Sequence, residues 1–194
     1  LYQDRLYFND GKGNFSKTAK ALPKITASGS TVVASDIDQD GDLDLVIGGR
    51  VAAGNYPSPP KSYVLENQDG KFIYATEKIA PDFTNIGMIT DLLFTDYDQD
   101  GDEDLIVVGE WMPIVILDNE NSQLNRSTNP QFNNSNGWWN SITAADLDSD
   151  GDTDYILGNF GQNSPLQPTA EHPIRLYSAD FDQNGKIDPI LSHY

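Results

Sequence analysis

The 194 residues contain no cysteine, so neither disulfides nor thiolate metal sites are available to this chain. That absence leaves the compartment open. Basic residues are scarce: 12 lysines and arginines stand against 30 aspartates and glutamates, for a formal charge of −18. Nucleic acid needs a basic footprint and an anionic membrane surface attracts one, so neither is an expected partner. No apolar run approaches the roughly 18–20 residues of a membrane-spanning helix. The only histidines are His172 and His193. Neither lies beside a nucleophile motif, and the Gly-x-Ser-x-Gly elbow is missing. Both read as ordinary surface or edge residues. No segment keeps a helical period, which makes the chain predominantly β.

The negative charge is concentrated rather than spread. Asp36-Ile37-Asp38-Gln39-Asp40-Gly41-Asp42-Leu43-Asp44 recurs as Asp96-Tyr97-Asp98-Gln99-Asp100-Gly101-Asp102-Glu103-Asp104. It returns as Asp146-Leu147-Asp148-Ser149-Asp150-Gly151-Asp152-Thr153-Asp154, and in weaker form as Asp180-Phe181-Asp182-Gln183-Asn184-Gly185-Lys186-Ile187-Asp188. Oxygen-bearing side chains stand at positions 1, 3, 5 and 9, with glycine at position 6. Ca²⁺ takes about six to eight oxygen ligands, and a glycine there lets the chain turn sharply around the ion. Carboxylates packed this closely repel one another strongly without a cation. One ion per loop, up to four Ca²⁺ in all, would bring the formal charge from −18 to about −10.

These loops are not EF-hands, which close with a bidentate Glu at position 12 between two helices. Position 12 here is Ile47, Val107, Leu157 and Leu191. The expected closing ligand is the position-9 carboxylate of Asp44, Asp104, Asp154 and Asp188. Position 7 (Asp42, Asp102, Asp152 and Lys186) offers its backbone carbonyl, which accounts for a lysine in the fourth copy.

Short aliphatic runs flank the loops. Leu43 to Gly48, Asp104 to Gly109 and Asp154 to Gly158 follow them; Thr31–Ser35, Asp91–Thr95 and Ser141–Ala145 precede them. Length and composition favour strands, so each loop joins two antiparallel neighbours. Ser62–Glu66 and Lys71–Thr76 flank an Asp-Gly turn and read as a further hairpin. Leu6–Phe15 repeats that hairpin, and Ile114–Asn121 does so in degraded form. The loops start at residues 36, 96, 146 and 180. The first two spacings, 60 and 50 residues, with four strands per repeat indicate propeller blades, whereas the last, 34 residues, breaks the pattern. The stretch from Asn159 to Pro173 holds no convincing strand pair, and Gly49–Pro60 and Ser122–Gly137 are expected to project from the rim as mobile loops.

The Leu-Tyr-x-Asn-Asp-Gly-x-Gly-x-Phe hairpin and the Asp-x-Asp-x-Asp-Gly-Asp-x-Asp-Leu blocks resemble the FG-GAP/VCBS repeat family, the blades of integrin-type β-propellers. The stretch from Ile174 to Leu191 is similar to bacterial secreted proteins carrying such repeats with an ASPIC/UnbV-type extension. The resemblance implies an all-β, calcium-stabilised sector of a propeller, with three to four four-stranded antiparallel blades. Residues 1–29 would end one blade; 30–90, 91–140 and 141–173 would form three more, and 174–194 would begin a further or irregular one. Leu1 is not an initiator and the chain opens in mid-repeat, while Tyr194 follows a strand-like run, so the rest of the propeller is expected from the parent chain.

Cytosolic free calcium is low, which points to a secreted, periplasmic or cell-surface location. The leading expectation is a metal-stabilised scaffold, not an enzyme, presenting loops to a protein or glycan ligand. The alternative is part of a secreted propeller enzyme acting on polysaccharide. Trp111, Trp138 and Trp139 are candidates for stacking on sugar rings, against the more ordinary reading that they pack between blades. Trp111 follows a strand in this reading, and Trp138 and Trp139 lie near a loop.

Overall fold

A computed structural model of the protein describes residues 3–18 and 20–193. Leu1 and Tyr194, where the repeat was expected to run on, lie outside the described residues. Tyr7–Asn9 (β1) and Phe15–Lys17 (β2) form a hairpin. Gly29–Ser35 (β3), Asp44–Gly49 (β4), Tyr63–Gln68 (β5) and Lys71–Tyr74 (β6) form a four-stranded antiparallel sheet, the first blade. A short helix, Thr76–Ile79 (α1), follows it. Met88–Thr95 (β7), Asp104–Met112 (β8), Val115–Asn119 (β9) and Leu124–Arg126 (β10) form the second blade in the same order. Gly137–Ala145 (β11) and Asp154–Asn159 (β12) open a third, and Arg175–Ala179 (β13) pairs with Asp188–Ser192 (β14).

The all-β, antiparallel architecture matches the sequence reading, with differences of detail. Two sheets have all four strands; between Asn159 and Arg175 no strand completes the third. Lys71–Thr76 is not strand throughout, because the chain leaves the sheet at Tyr74 and turns into α1. Trp111 lies within β8 rather than after it, and Trp138 and Trp139 lie within β11. β11 also pairs with the end of β8, through Gly137 opposite Met112 and Trp138 opposite Glu110. Among the described residues no helix is long and apolar enough to cross a membrane.

In the two complete blades the strand after the corner is buried on both faces because it serves two interfaces. In β4, Val46 faces the second blade, while Leu45 and Ile47 face a cluster formed with Ala21, Ile25 and Phe72. In β8, Leu105 and Val107 join the first of these clusters, while Ile106 and Val108 pack with Ile114, Ile116 and Ile142 towards the third blade. Successive side chains of a strand point to opposite faces, so a continuous apolar run serves both.

The inner strands are also clamped by polar groups at a repeated irregularity. Register shifts occur at Gly29/Thr31, Ile89/Asp91 and Trp139/Ser141. The skipped residue, Ser30 or Thr90, turns its hydroxyl between blades. Ser30 Oγ donates to Ile89 O at 2.7 Å, and Thr90 Oγ1 donates to Trp139 O at 2.9 Å. Asp91 then ties three blades: its carboxylate accepts from Thr31 Oγ1 at 3.4 Å and from the Ile142 amide at 3.0 Å. Replacing Asp91 with alanine leaves that amide without its charged acceptor. We expect a loss of about 1–3 kcal/mol of stability, read by denaturant unfolding, with the four-stranded sheets retained by circular dichroism. An unchanged unfolding midpoint would show that the inter-blade clamp carries no weight.

Candidate metal centres

The four acid-rich segments occupy the same corner of the same motif. Each joins two antiparallel strands, and the last residue of the first strand faces the position-9 aspartate. The pairs are Ser35 with Asp44, Thr95 with Asp104, Ala145 with Asp154, and Ala179 with Asp188. Position 4 takes a left-handed conformation in every copy, with φ of 57° at Gln39, 61° at Gln99, 63° at Ser149 and 60° at Gln183. The position-6 glycine follows with φ between 83° and 100°. These two residues reverse the chain, and glycine tolerates the second reversal without a side-chain clash.

The reversal turns backbone amides onto carboxylates. The position-6 amide donates to the position-1 carboxylate at 3.0 Å in the first corner, 3.2 Å in the second and third, and 2.8 Å in the fourth. The position-7 amide donates to the side-chain oxygen of position 5 in all four. The position-2 amide donates to the position-9 carboxylate, between 2.9 and 3.3 Å. The remaining carboxylate oxygens converge. One oxygen each from Asp36, Asp38 and Asp40 lie within 4.8 Å of one another, as do those of Asp96, Asp98 and Asp104, of Asp146, Asp148 and Asp154, and of Asp180, Asp182 and Asp188. Asp44 is joined to the first corner through its bond to the Ile37 amide. Asp100, Asp150 and Asn184 accept from position 7, and the side chains of Asp42, Asp102, Asp152 and Lys186 lie outside the four groups.

The position-9 residues of the complete blades carry the largest electrostatic cost. Asp44 and Asp104 are each only 1 % exposed. Burial pushes the Asp44 carboxyl up to about 6, with the charges of Asp38 and Asp40 adding to it. Asp104 is raised for the same first reason, and then by Asp98 and Asp118. Asp98 is raised by burial, by Asp100 and by Asp118. Asp38 Oδ1 and Asp118 Oδ1 are buried with no hydrogen-bond partner. An all-oxygen donor set with orphaned, mutually repelling carboxylates fits a hard divalent cation.

Several residues that shape these corners were not found from the sequence. Asn67 and Asn119, at equivalent places in β5 and β9, donate their amides to Asp44 Oδ1 and Asp104 Oδ1, both at 2.8 Å. Asn119 Nδ2 reaches further, to Ile37 O of the preceding corner at 3.2 Å. The signal was present, since Leu65-Glu66-Asn67 and Leu117-Asp118-Asn119 repeat a pattern also visible at Asn9.

At the far ends of the strands lies an aromatic group. Trp138 stacks on Phe160 at 4.6 Å and packs against Trp111 at 5.0 Å, beside a cavity of about 540 Å³. The indole N–H of Trp138 donates to Glu110, which also pairs with Arg50; that of Trp111 donates to Tyr56 and that of Trp139 to Ser135 O. Trp111 has φ of 58°, a left-handed conformation that these contacts hold in place. Each indole N–H is thus bonded, and all three side chains are half-buried. His172 and His193 are exposed.

Stacked four-stranded antiparallel sheets with acid-rich strand corners define a run of propeller blades. The FG-GAP-like repeat model matches residues 2–47 and 96–157, more than half of the chain, and the chain belongs to that family. The matched segments contain the first three corners. No curated protein matches the chain.

The sign of the pH effect follows from Asp44. A carboxyl raised from 3.8 to about 6 contributes stability to the metal-free fold that is fully present below 3.8 and lost as pH rises through about 6. Lowering the pH from about 7 to about 5 in chelator should therefore raise the melting temperature, whereas the stabilisation from added divalent cation should shrink over the same range. A metal-free melting temperature that falls between those values would contradict this assignment.

Proposed function

We propose that this chain is a calcium-stabilised sector of an extracellular propeller, a scaffold that carries loops for adhesion or ligand capture and performs no catalysis itself. The observation that supports it is the convergence of three carboxylates in each of four corners built on one hydrogen-bond scheme. Calcium is the cation of choice for such an oxygen set, and its concentration outside the cytosol suits sites that hold a fold together. A secreted, periplasmic or cell-surface location follows from that reading.

The exposure of the position-2 side chain supports a larger wheel. Ile37, covered by the second blade, is 1 % exposed; Leu147 and Phe181, at the same position of the third and fourth corners, are 58 % and 54 % exposed. We read these surfaces, with Ile156, Ile190 and Leu191, as faces for further blades of the parent protein. Ligand, protein or glycan, would then meet the polar connections around 50–62 and 127–136. The aspartates that could serve as acid and base are held in the corners, which favours a scaffold over a polysaccharide-cleaving enzyme.

Calcium that binds only the folded form adds about 2.7 kcal/mol per filled site at 100 times Kd. One such site is worth about 5–10 °C in Tm for a chain of this size. Addition of EGTA to the calcium-loaded protein is expected to lower the melting temperature by at least that amount. A melt indifferent to EGTA would overturn the reading.

A further inference from the structure

On the calcium reading above, the first two corners differ in the charge that stands beside them. Leu65 faces Leu45 in the first blade as Leu117 faces Leu105 in the second, so Glu66 and Asp118 occupy equivalent places beside their corners. Their surroundings are not equivalent. Lys78 Nζ donates to Glu66 Oε2 at 2.8 Å, and Gln68 donates to the other oxygen at 3.0 Å. Glu66 is the first influence raising the Lys78 pKa, and the charges of Asp38 and Asp44 in the first corner follow. That lysine arrives on α1; the second blade has only the single 3-10 turn Pro130–Phe132 after β10, and it carries no basic residue. Asp118, by contrast, forms no ion pair among the described residues, its Oδ1 is buried without a partner, and its charge bears on Asp98 and Asp104.

We propose that Lys78 and Asp118 grade the two centres: Lys78 weakens the first for a divalent cation, and Asp118 strengthens the second, so the second fills at lower calcium. In the metal-free chain Lys78 neutralises Glu66 beside the first corner, and its charge bears on Asp38 and Asp44. The first corner then works as the calcium-responsive one, while the second stays loaded. A single charge near a divalent ion in a water-like medium changes affinity roughly fivefold.

Two glycine amides report the corners separately, since Gly41 donates to Asp36 at 3.0 Å and Gly101 to Asp96 at 3.2 Å. In a calcium titration of the whole chain followed by ¹⁵N NMR, the Gly101 resonance should reach its midpoint at lower calcium than Gly41. Lys78→Met, at a side chain 69 % exposed, should lower the Gly41 midpoint roughly fivefold and leave Gly101 in place. Asp118→Asn should raise the Gly101 midpoint by a similar factor and leave Gly41 unchanged. Coincident midpoints, or midpoints unmoved by either variant, overturn the grading alone. No calcium response at either glycine overturns the calcium reading itself.

Discussion

Carboxylate repulsion at the strand corners is the constraint on which this architecture turns. Each corner draws three or more oxygens of like charge together, and in the complete blades the position-9 aspartate that begins the second strand is buried. Backbone amides from positions 2, 6 and 7, and from Asn67 or Asn119, offset part of that charge. Hydrogen bonds to a carboxylate favour its ionised form, yet Asp44 and Asp104 remain raised, so burial and neighbouring charges outweigh the amides. A divalent ion would supply what the amides cannot: positive charge at the point of convergence. The same ion would bind both ends of a strand pair and fix the corner from which each blade is laid out.

That corner also organises the contact between blades. Position 2 projects from it towards the neighbouring sheet, as Ile37 does into the cluster containing Leu105, Leu117 and Leu124. Asn119 holds its own corner and the carbonyl of Ile37 at once. The corners of successive blades touch directly, through Gln39 to Asp102 and Ser35 to Glu103, the latter at 2.7 Å. Corner geometry and blade stacking are therefore coupled: loosening a corner shifts the residue that seals the interface. Lower down, the Ser30 and Thr90 hydroxyls and the Asp91 carboxylate repeat the linkage at the inner strands.

What the sequence revealed is what repeats within a few residues. The corner motif, its flanking aliphatic strands and the Asp-Gly hairpins are local patterns, and all are present in the fold. The features it concealed depend on long-range placement. Asn67 lies 23 residues from the aspartate it holds, and Asn119 lies 82 residues from Ile37. Asp91 looks like an ordinary strand residue until three blades meet around it. Thr76–Ile79 is too short to show a helical period, yet it carries the lysine that distinguishes the first corner. The tryptophans were legible only as a choice between packing and display. Their N–H partners, Glu110, Tyr56 and Ser135, are reached only through the fold.

The most direct test of the account is the number of calcium ions held by the folded chain, counted by native mass spectrometry in millimolar calcium. The account predicts binding at the acid-rich corners, up to four ions per chain, lost in steps as the position-1 aspartates Asp36, Asp96, Asp146 and Asp180 are replaced by alanine. A folded chain that carries no ion would contradict it, because the repulsion at the corners would then be met without a cation.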